Sequence, residues 1–278
     1  MFRQEIKHNG VGNQKGIVVL RKYYQVYREL IHMQVRVLLT YRFNFMCGMS
    51  AELGWVIAKI IYSFVIFSIV PEERGIYFLL IGTYILLTGI CMGVWGPNIP
   101  LLSNYMKRGE LDIYMCKPIS IQFLTTFYKI DFGSLISNAV CGGIMILYGW
   151  KEQHMMLNFR NVFSFVFALM IGLLICYTLF FIPQLLAFRY ISTNTFLGVI
   201  WEIWDLNNLP FNYYPKMVQS IGLFIIPVLL PCSLPTLMVV YETPLFIKLW
   251  CCIFAVMLVK VFNILYKRGL LKYSSAGG

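Results

Sequence analysis

Uncharged apolar runs long enough to cross a bilayer recur along this chain, and a soluble fold has no place to put them. A hydrocarbon core of roughly 30 Å takes about 20 residues of helix. Such runs extend from about Leu53 to Val70, Ile76 to Trp95, Phe132 to Trp150, Phe163 to Phe188, Met217 to Val240 and Phe246 to Leu265. Of the 278 residues, 59% are hydrophobic and 13% charged, where soluble domains are about half apolar and about a quarter charged. The pattern predicts an all-α membrane protein of about six transmembrane helices, packed as one domain over residues 47–267. Residues 1–20 and 268–278 are expected to be cytoplasmic tails.

The net charge of +11 raises the question of nucleic acid, but Lys and Arg lie between the apolar runs, not in one basic block with interleaved aromatics. They report topology instead, because cytoplasmic loops carry the positive excess. The amino-terminal segment, the second and fourth connections and the tail hold sixteen, including Lys107, Arg108, Lys117, Arg189 and Lys216. The other side holds four, Arg74, Lys151, Arg160 and Lys248, accompanied by Glu72, Glu73, Glu152 and Glu242. Both termini are therefore expected in the cytoplasm. One short apolar run, Gly16 to Leu20, interrupts the first thirty residues, so no cleavable signal peptide is expected.

From Arg21 to Arg42, Val26, Leu30, Met33, Val37 and Tyr41 recur at helical spacing opposite Arg21, Gln25, Arg28, Glu29, His32 and Arg36. A basic amphipathic helix of this kind lies in the membrane interface. The stretch Thr195 to Asn208, with Trp201, Trp204, Glu202 and Asp205, reads as a second interfacial helix. In the fifth run Pro227, Pro231 and Pro235 recur every fourth residue, and each removes a backbone donor. That run is either a kinked span or a span followed by a short re-entrant segment.

Candidate chemistry is sparse. The dipeptide Gly-Lys never occurs, so the chain has no Walker A loop and does not hydrolyse ATP through a P-loop of its own. His8, His32 and His154 are far apart, and the eight cysteines form no C-x-x-C pair; no catalytic, metal or cofactor site is expected on them. Charges in or near the spans are more informative, since an ionisable group in hydrocarbon faces a partner or a cavity. Glu52 and Lys59 share one face of the first span, and Lys129 and Asp131 stand at the entrance of the third. They are read either as snorkelling lysines paired with the two carboxylates or as part of a substrate path or subunit contact.

The second cytoplasmic connection, Ser103 to Ser120, is the richest loop. Gly109 breaks a helix, Glu110 and Asp112 stand where a new helix amino terminus favours carboxylates, and Lys117-Pro118 closes it. It suits a short helix that plugs into a soluble partner, or an ordinary polar loop. Here Gly109-Glu110-Leu111-Asp112 with Lys117-Pro118 resembles the G-x-L-D and basic-Pro pattern of a bacterial ABC-2-type permease family. Tyr41-Arg42-Phe43-Asn44-Phe45, Tyr213-Tyr214-Pro215 leading to Phe224-Ile225-Ile226-Pro227 and Pro235, and the ending Arg268 to Gly277 are similar to the family as well.

That resemblance implies a six-span exporter permease with an amphipathic elbow helix, residues 21–46, and a coupling helix from about Met106 to Pro118. It implies Gly109, Glu110, Leu111, Asp112, Lys117 and Pro118 as the contact with a separate ABC ATPase. Two ATPase copies, carrying ATP and Mg, would drive a pair of permeases, identical or homologous, in the bacterial cytoplasmic membrane. Relatives are associated with drugs, peptides or amphiphiles. Rival readings are an ion-coupled secondary transporter, which needs acidic relays deep in several spans, a lipid-modifying membrane enzyme, and an immunity or scaffold protein.

Overall fold

The computed structural model describes residues 2–69, 74–188, 194–241 and 244–273, with the side chains of 2–17, 67–69, 194 and 195 excepted. Glu72, Glu73, Arg189, Glu242 and the stretch Ser274 to Gly277 lie outside the described residues. Among the described residues all regular structure is helical. The helices are α1 (Phe2–Thr40), α2 (Arg42–Ile69), α3 (Arg74–Ile90), α4 (Leu101–Lys107), α5 (Leu111–Met115), α6 (Ile121–Phe127), α7 (Phe132–Glu152), α8 (Phe159–Phe181), α9 (Asn194–Trp204), α10 (Lys216–Ser220), α11 (Leu230–Val240) and α12 (Leu245–Lys272). Five segments are long and apolar enough to span: Arg42–Ile66, Arg74–Lys107, Phe132–Glu152, Phe159–Phe188 and Leu245–Lys272. The face where α2 begins is called proximal below, and the opposite one distal.

Antiparallel α3 and α7 form the closest pair, and α3 is the most enclosed span, while α2 and α12 are peripheral. Small residues allow this approach, as is usual where no hydrophobic force separates helix from lipid. A Cβ at Gly142 would stand 2.8 Å from both the Gly82 carbonyl oxygen and the Leu86 nitrogen. Asp131 fixes the start of α7 by accepting from the Gly133 and Ser134 amides at 2.9 and 3.3 Å, which satisfies donors that a helix amino terminus leaves free.

Several boundaries differ from the sequence expectation. The helix expected to start at Arg21 begins at Phe2, so the stretch expected to be a tail is helical; once nucleated, a helix gains one hydrogen bond per residue added. It yields to α2 at Tyr41, and Arg42 to Met46 belong to α2 and not to an elbow. The breakers Gly96 to Pro100 do not end the second span. The ladder widens into a π turn at Cys91–Trp95, tightens into a 3-10 turn at Gly96–Asn98 and resumes as α4. Buried Asn98 holds this joint: its amide donates to the Val94 and Lys129 carbonyls at 2.7 Å, and its oxygen accepts from Lys129 N at 2.8 Å. The tail at Arg268 to Lys272 is the last turn of α12.

The largest departure is the fifth crossing, which is not Met217 to Val240. Contacts of α9 climb α3 from the proximal side. Trp201 packs on Phe180 near the proximal end of α8 (centroids 4.3 Å). Trp204 Nε1 donates to Thr88 Oγ1 at 2.9 Å, Tyr84 donates to Asp205, and Tyr77 donates to the Asn208 carbonyl at 2.5 Å. Thr88, Tyr84 and Tyr77 are successive levels of α3 about 6 and 10 Å apart, and α9 with its 3-10 extension supplies about 24 Å of helix. Residues 194–208 therefore cross, and Trp204 is buried, so this element is not interfacial. Trp and apolar faces that suit an interface also suit a groove between helices, which is why pattern alone misplaced it.

Beyond it, Tyr214 donates to the Leu206 carbonyl at 2.7 Å. The segment Lys216–Ile225 then meets α11 at 99°. The junction dips to mid-depth, where Asn207 donates to the Val228 carbonyl at 3.0 Å, and α11 climbs to place Val239 and Val240 beside Trp150 and Phe165. Pro227 sits in the bend, Pro231 at the first turn of α11 and Pro235 inside it. Both readings of this region placed a span within the run itself; here the run forms only the bent, re-entrant part, and the span precedes it. Lys216 thereby follows the crossing and lies on the distal side, which leaves the positive excess at fifteen against five.

Candidate functional site

The proximal connection between α3 and α7 is built as a knob. Gly109 takes φ +68°, a left-handed conformation that ends α4 and that glycine adopts without steric cost. Glu110 precedes α5 without capping it, its carboxylate 3.9 Å from Arg108, and Asp112 lies in the first turn. Leu111 is wholly buried, whereas Ile113 (63% exposed), Met115, Cys116, Lys117 and Pro118 are on the surface. Tyr105 stacks on Tyr114 at 4.1 Å, and the Lys117 ammonium covers the other side of Tyr114 at 4.3 Å. Buried Leu111 anchors the turn to the bundle, and the exposed Ile113 and Met115 form an apolar tip with basic flanks at Lys107, Arg108 and Lys117.

The first helix is bound to this knob, a contact that the sequence did not reveal. Lys22 Nζ donates to the Pro118 carbonyl at 2.7 Å, and the Ser120 amide donates to the Tyr23 hydroxyl at 3.1 Å. Tyr23 meets Phe123 edge-on at 4.9 Å, and Tyr27 meets Phe127 at 5.7 Å. The i, i+4 spacing of Tyr23 and Tyr27 was the available signal. On the free side of α1, the hydrogen bond from Arg28 to Glu29 (3.0 Å) holds the Glu29 carboxyl below its ordinary pKa.

The intramembrane charges are not paired as sequence spacing suggested. Lys59 does not turn to Glu52. Its ammonium lies 3.5 Å from Asp205 and 2.9 Å from Asn208 Oδ1, over the rings of Trp55 and Tyr84 at 5.0 and 5.4 Å. Glu52 accepts instead from Asn138 Nδ2 at 3.0 Å. Asp131 serves its helix cap and Ser134 Oγ (2.8 Å), not Lys129, whose side chain is exposed. Two turns of one helix leave Glu52 and Lys59 too far apart to pair, while α9 brings Asp205 directly to Lys59. The result is a cavity of about 290 Å³ between α2, α3 and α9, lined by Glu52, Trp55, Tyr84, Trp201, Glu202 and Asp205 among others.

Cys91, Cys176, Cys232 and Cys251 are buried among apolar side chains, and Cys47 and Cys116 are exposed. No group of three His, Cys, Asp or Glu among the described residues could hold a metal ion. Comparison with curated proteins and with solved structures gave no match. A family model described as ABC-2 family transporter protein matches residues 53–277, a range that contains the five long spans except the start of α2, the α9 crossing, the re-entrant segment and the α5 knob. This all-helical, multi-pass chain belongs to the ABC-2 family of transporter proteins.

Proposed function

We propose that this chain is the permease of an ATP-driven exporter that moves an amphiphilic, drug-like, peptide or lipid-like substrate across a bacterial cytoplasmic membrane. Family membership makes it a membrane subunit of an ABC transporter, with the ATPase in a separate protein. The finer reading is supported above all by the α5 knob, whose anchored Leu111 and exposed Ile113 and Met115 offer an apolar tip for a soluble partner. Gly109, Glu110, Leu111, Asp112, Lys117 and Pro118 form the coupling segment, and α1 from Lys22 to Tyr27 is its brace.

In this mechanism two ATPase copies bind ATP and Mg, close, and push the knobs of a pair of permeases, identical or homologous. The push passes through Leu111 and the Asn98 joint into α3 and α7. Transport then requires substrate to bind the inward-open and outward-open states with different affinity. In this reading both termini and the knob face the cytoplasm, which the positive excess on the proximal side supports.

The test is co-extraction in mild detergent. A P-loop ATPase is expected to purify stoichiometrically with the wild-type chain and to be lost from Asp112→Lys. An Asp112→Lys chain that keeps its ATPase overturns the coupling assignment, and a wild-type chain that never recruits one overturns the exporter.

A further inference from the structure

The cavity between α2, α3 and α9 carries more negative charge than its surroundings neutralise. Three carboxylates, Glu52, Glu202 and Asp205, line it. One ammonium, Lys59, answers them, and it is engaged by Asp205 and Asn208. Glu202 makes no hydrogen bond or ion pair among the described residues, and Glu52 receives only the Asn138 amide. Carboxylates placed in a membrane segment without counter-charge are costly unless a cavity or a ligand serves them.

One further feature fixes the Glu52 carboxylate, and another defines the complement. Asn138 is wholly buried; its nitrogen donates to Glu52 and to the Ser134 carbonyl, and its Oδ1, two bonds from that nitrogen, has no donor. That oxygen is closed off inside the bundle and Asn138 does not line the cavity, so Asn138 holds the Glu52 carboxylate from behind. The walls are Trp55, Tyr84, Trp201 and Trp204, whose π faces attract cations. Lys59 demonstrates that chemistry inside the molecule, with its ammonium over Trp55 and Tyr84. Lys59 occupies the Asp205 side, so Glu52 and Glu202 remain for a second cation. The volume, about 290 Å³, is at the small end of organic-ligand sites.

We infer that this cavity binds an organic cation, an ammonium or phosphonium centre on an aromatic or apolar body, and that the transported substrate carries a positive charge. The inference rests on the permease reading only for the word transported; binding itself needs no ATPase. Glu52 and Glu202 hold the charge, the indoles hold the body, and Asn138 orients Glu52.

Binding to the purified full-length chain in neutral detergent tests it, followed by tryptophan fluorescence, since Trp55, Trp201 and Trp204 line the cavity. The probes are tetraphenylphosphonium and tetraphenylborate, ions of one shape and opposite charge. Saturable quenching is expected with the phosphonium, with the borate weaker by about tenfold or more, and Glu52→Gln with Glu202→Gln together should cost the phosphonium about tenfold. Glu202→Gln alone changes an exposed, unpartnered group, so it keeps the fold, and it should still weaken phosphonium binding about threefold. Equal affinity for the two ions, or an unchanged Kd in both variants, overturns the inference. Competition by sodium alone at millimolar levels would make it an inorganic-cation site and overturns the inference too. A wild-type chain that recruits no ATPase yet binds phosphonium would instead sink the exporter reading and leave the site standing.

Discussion

At the scale of single residues, a few polar side chains hold together backbone that the bilayer cannot solvate. Asn98 closes the irregular joint after α3, Asp131 caps α7, and Lys59 ties α2 to the end of the α9 crossing. Lys59→Met should remove that tie and leave Asp205 without its cation. Because Asp205 is half exposed, the loss should be modest, about 1–2 kcal/mol, while Lys59→Arg keeps most of it. Thermal unfolding of the detergent-solubilised chain measures both. Leu111→Ala should cost about 2–4 kcal/mol locally by emptying a buried site; it should detach the ATPase at unchanged membrane yield, and intact co-extraction would contradict the anchoring role. Sequence identified Glu52, Lys59, Lys129 and Asp131 as the charges to watch, but none of their partners. Asp131 turned to its own helix cap, whereas the partners of Glu52 and Lys59 come from other elements, which one-dimensional spacing along one helix does not report.

Among elements, the sequence located the long spans well because their signal is additive: twenty apolar residues in a row admit few alternatives in water. It failed where a helix was short or mixed. The α9 crossing pairs Glu202, Asp205, Asn207 and Asn208 with Trp201 and Trp204, a composition that fits an interface as well as a groove beside α3. The fifth apolar run gave way because Pro227, Pro231 and Pro235 favour a dip and return over a straight helix. The α3 and α7 pair depends on backbone proximity, so Gly142→Leu should be among the most damaging substitutions. Its side chain would meet the Gly82 carbonyl and Leu86 backbone, neither of which can rotate away, and overpacking of about 1–3 kcal/mol or more is expected. Protein recovered as a monodisperse peak at wild-type yield would refute that.

For the whole molecule, the arrangement makes a topological prediction that needs no engineered cysteine. Both exposed thiols, Cys47 near the start of α2 and Cys116 at the end of α5, lie on the proximal face. A membrane-impermeant maleimide should therefore spare intact cells and label inside-out vesicles, with the Cys116 share lost in Cys116→Ser. Labelling of Cys116 from outside would invert the orientation and end the exporter reading. By itself the sequence determined the helical membrane class, the long spans, the positive-charge bias and the turn at Gly109, because each depends on composition or on neighbours within one helix. Which element makes the fifth crossing, how α1 packs on the knob at Pro118 and Ser120, and where Glu52, Lys59 and Asp205 find their partners were decided only in three dimensions. In a bilayer every apolar face is already at home, and helix choice falls to close backbone contact and to the few polar groups that must find one another.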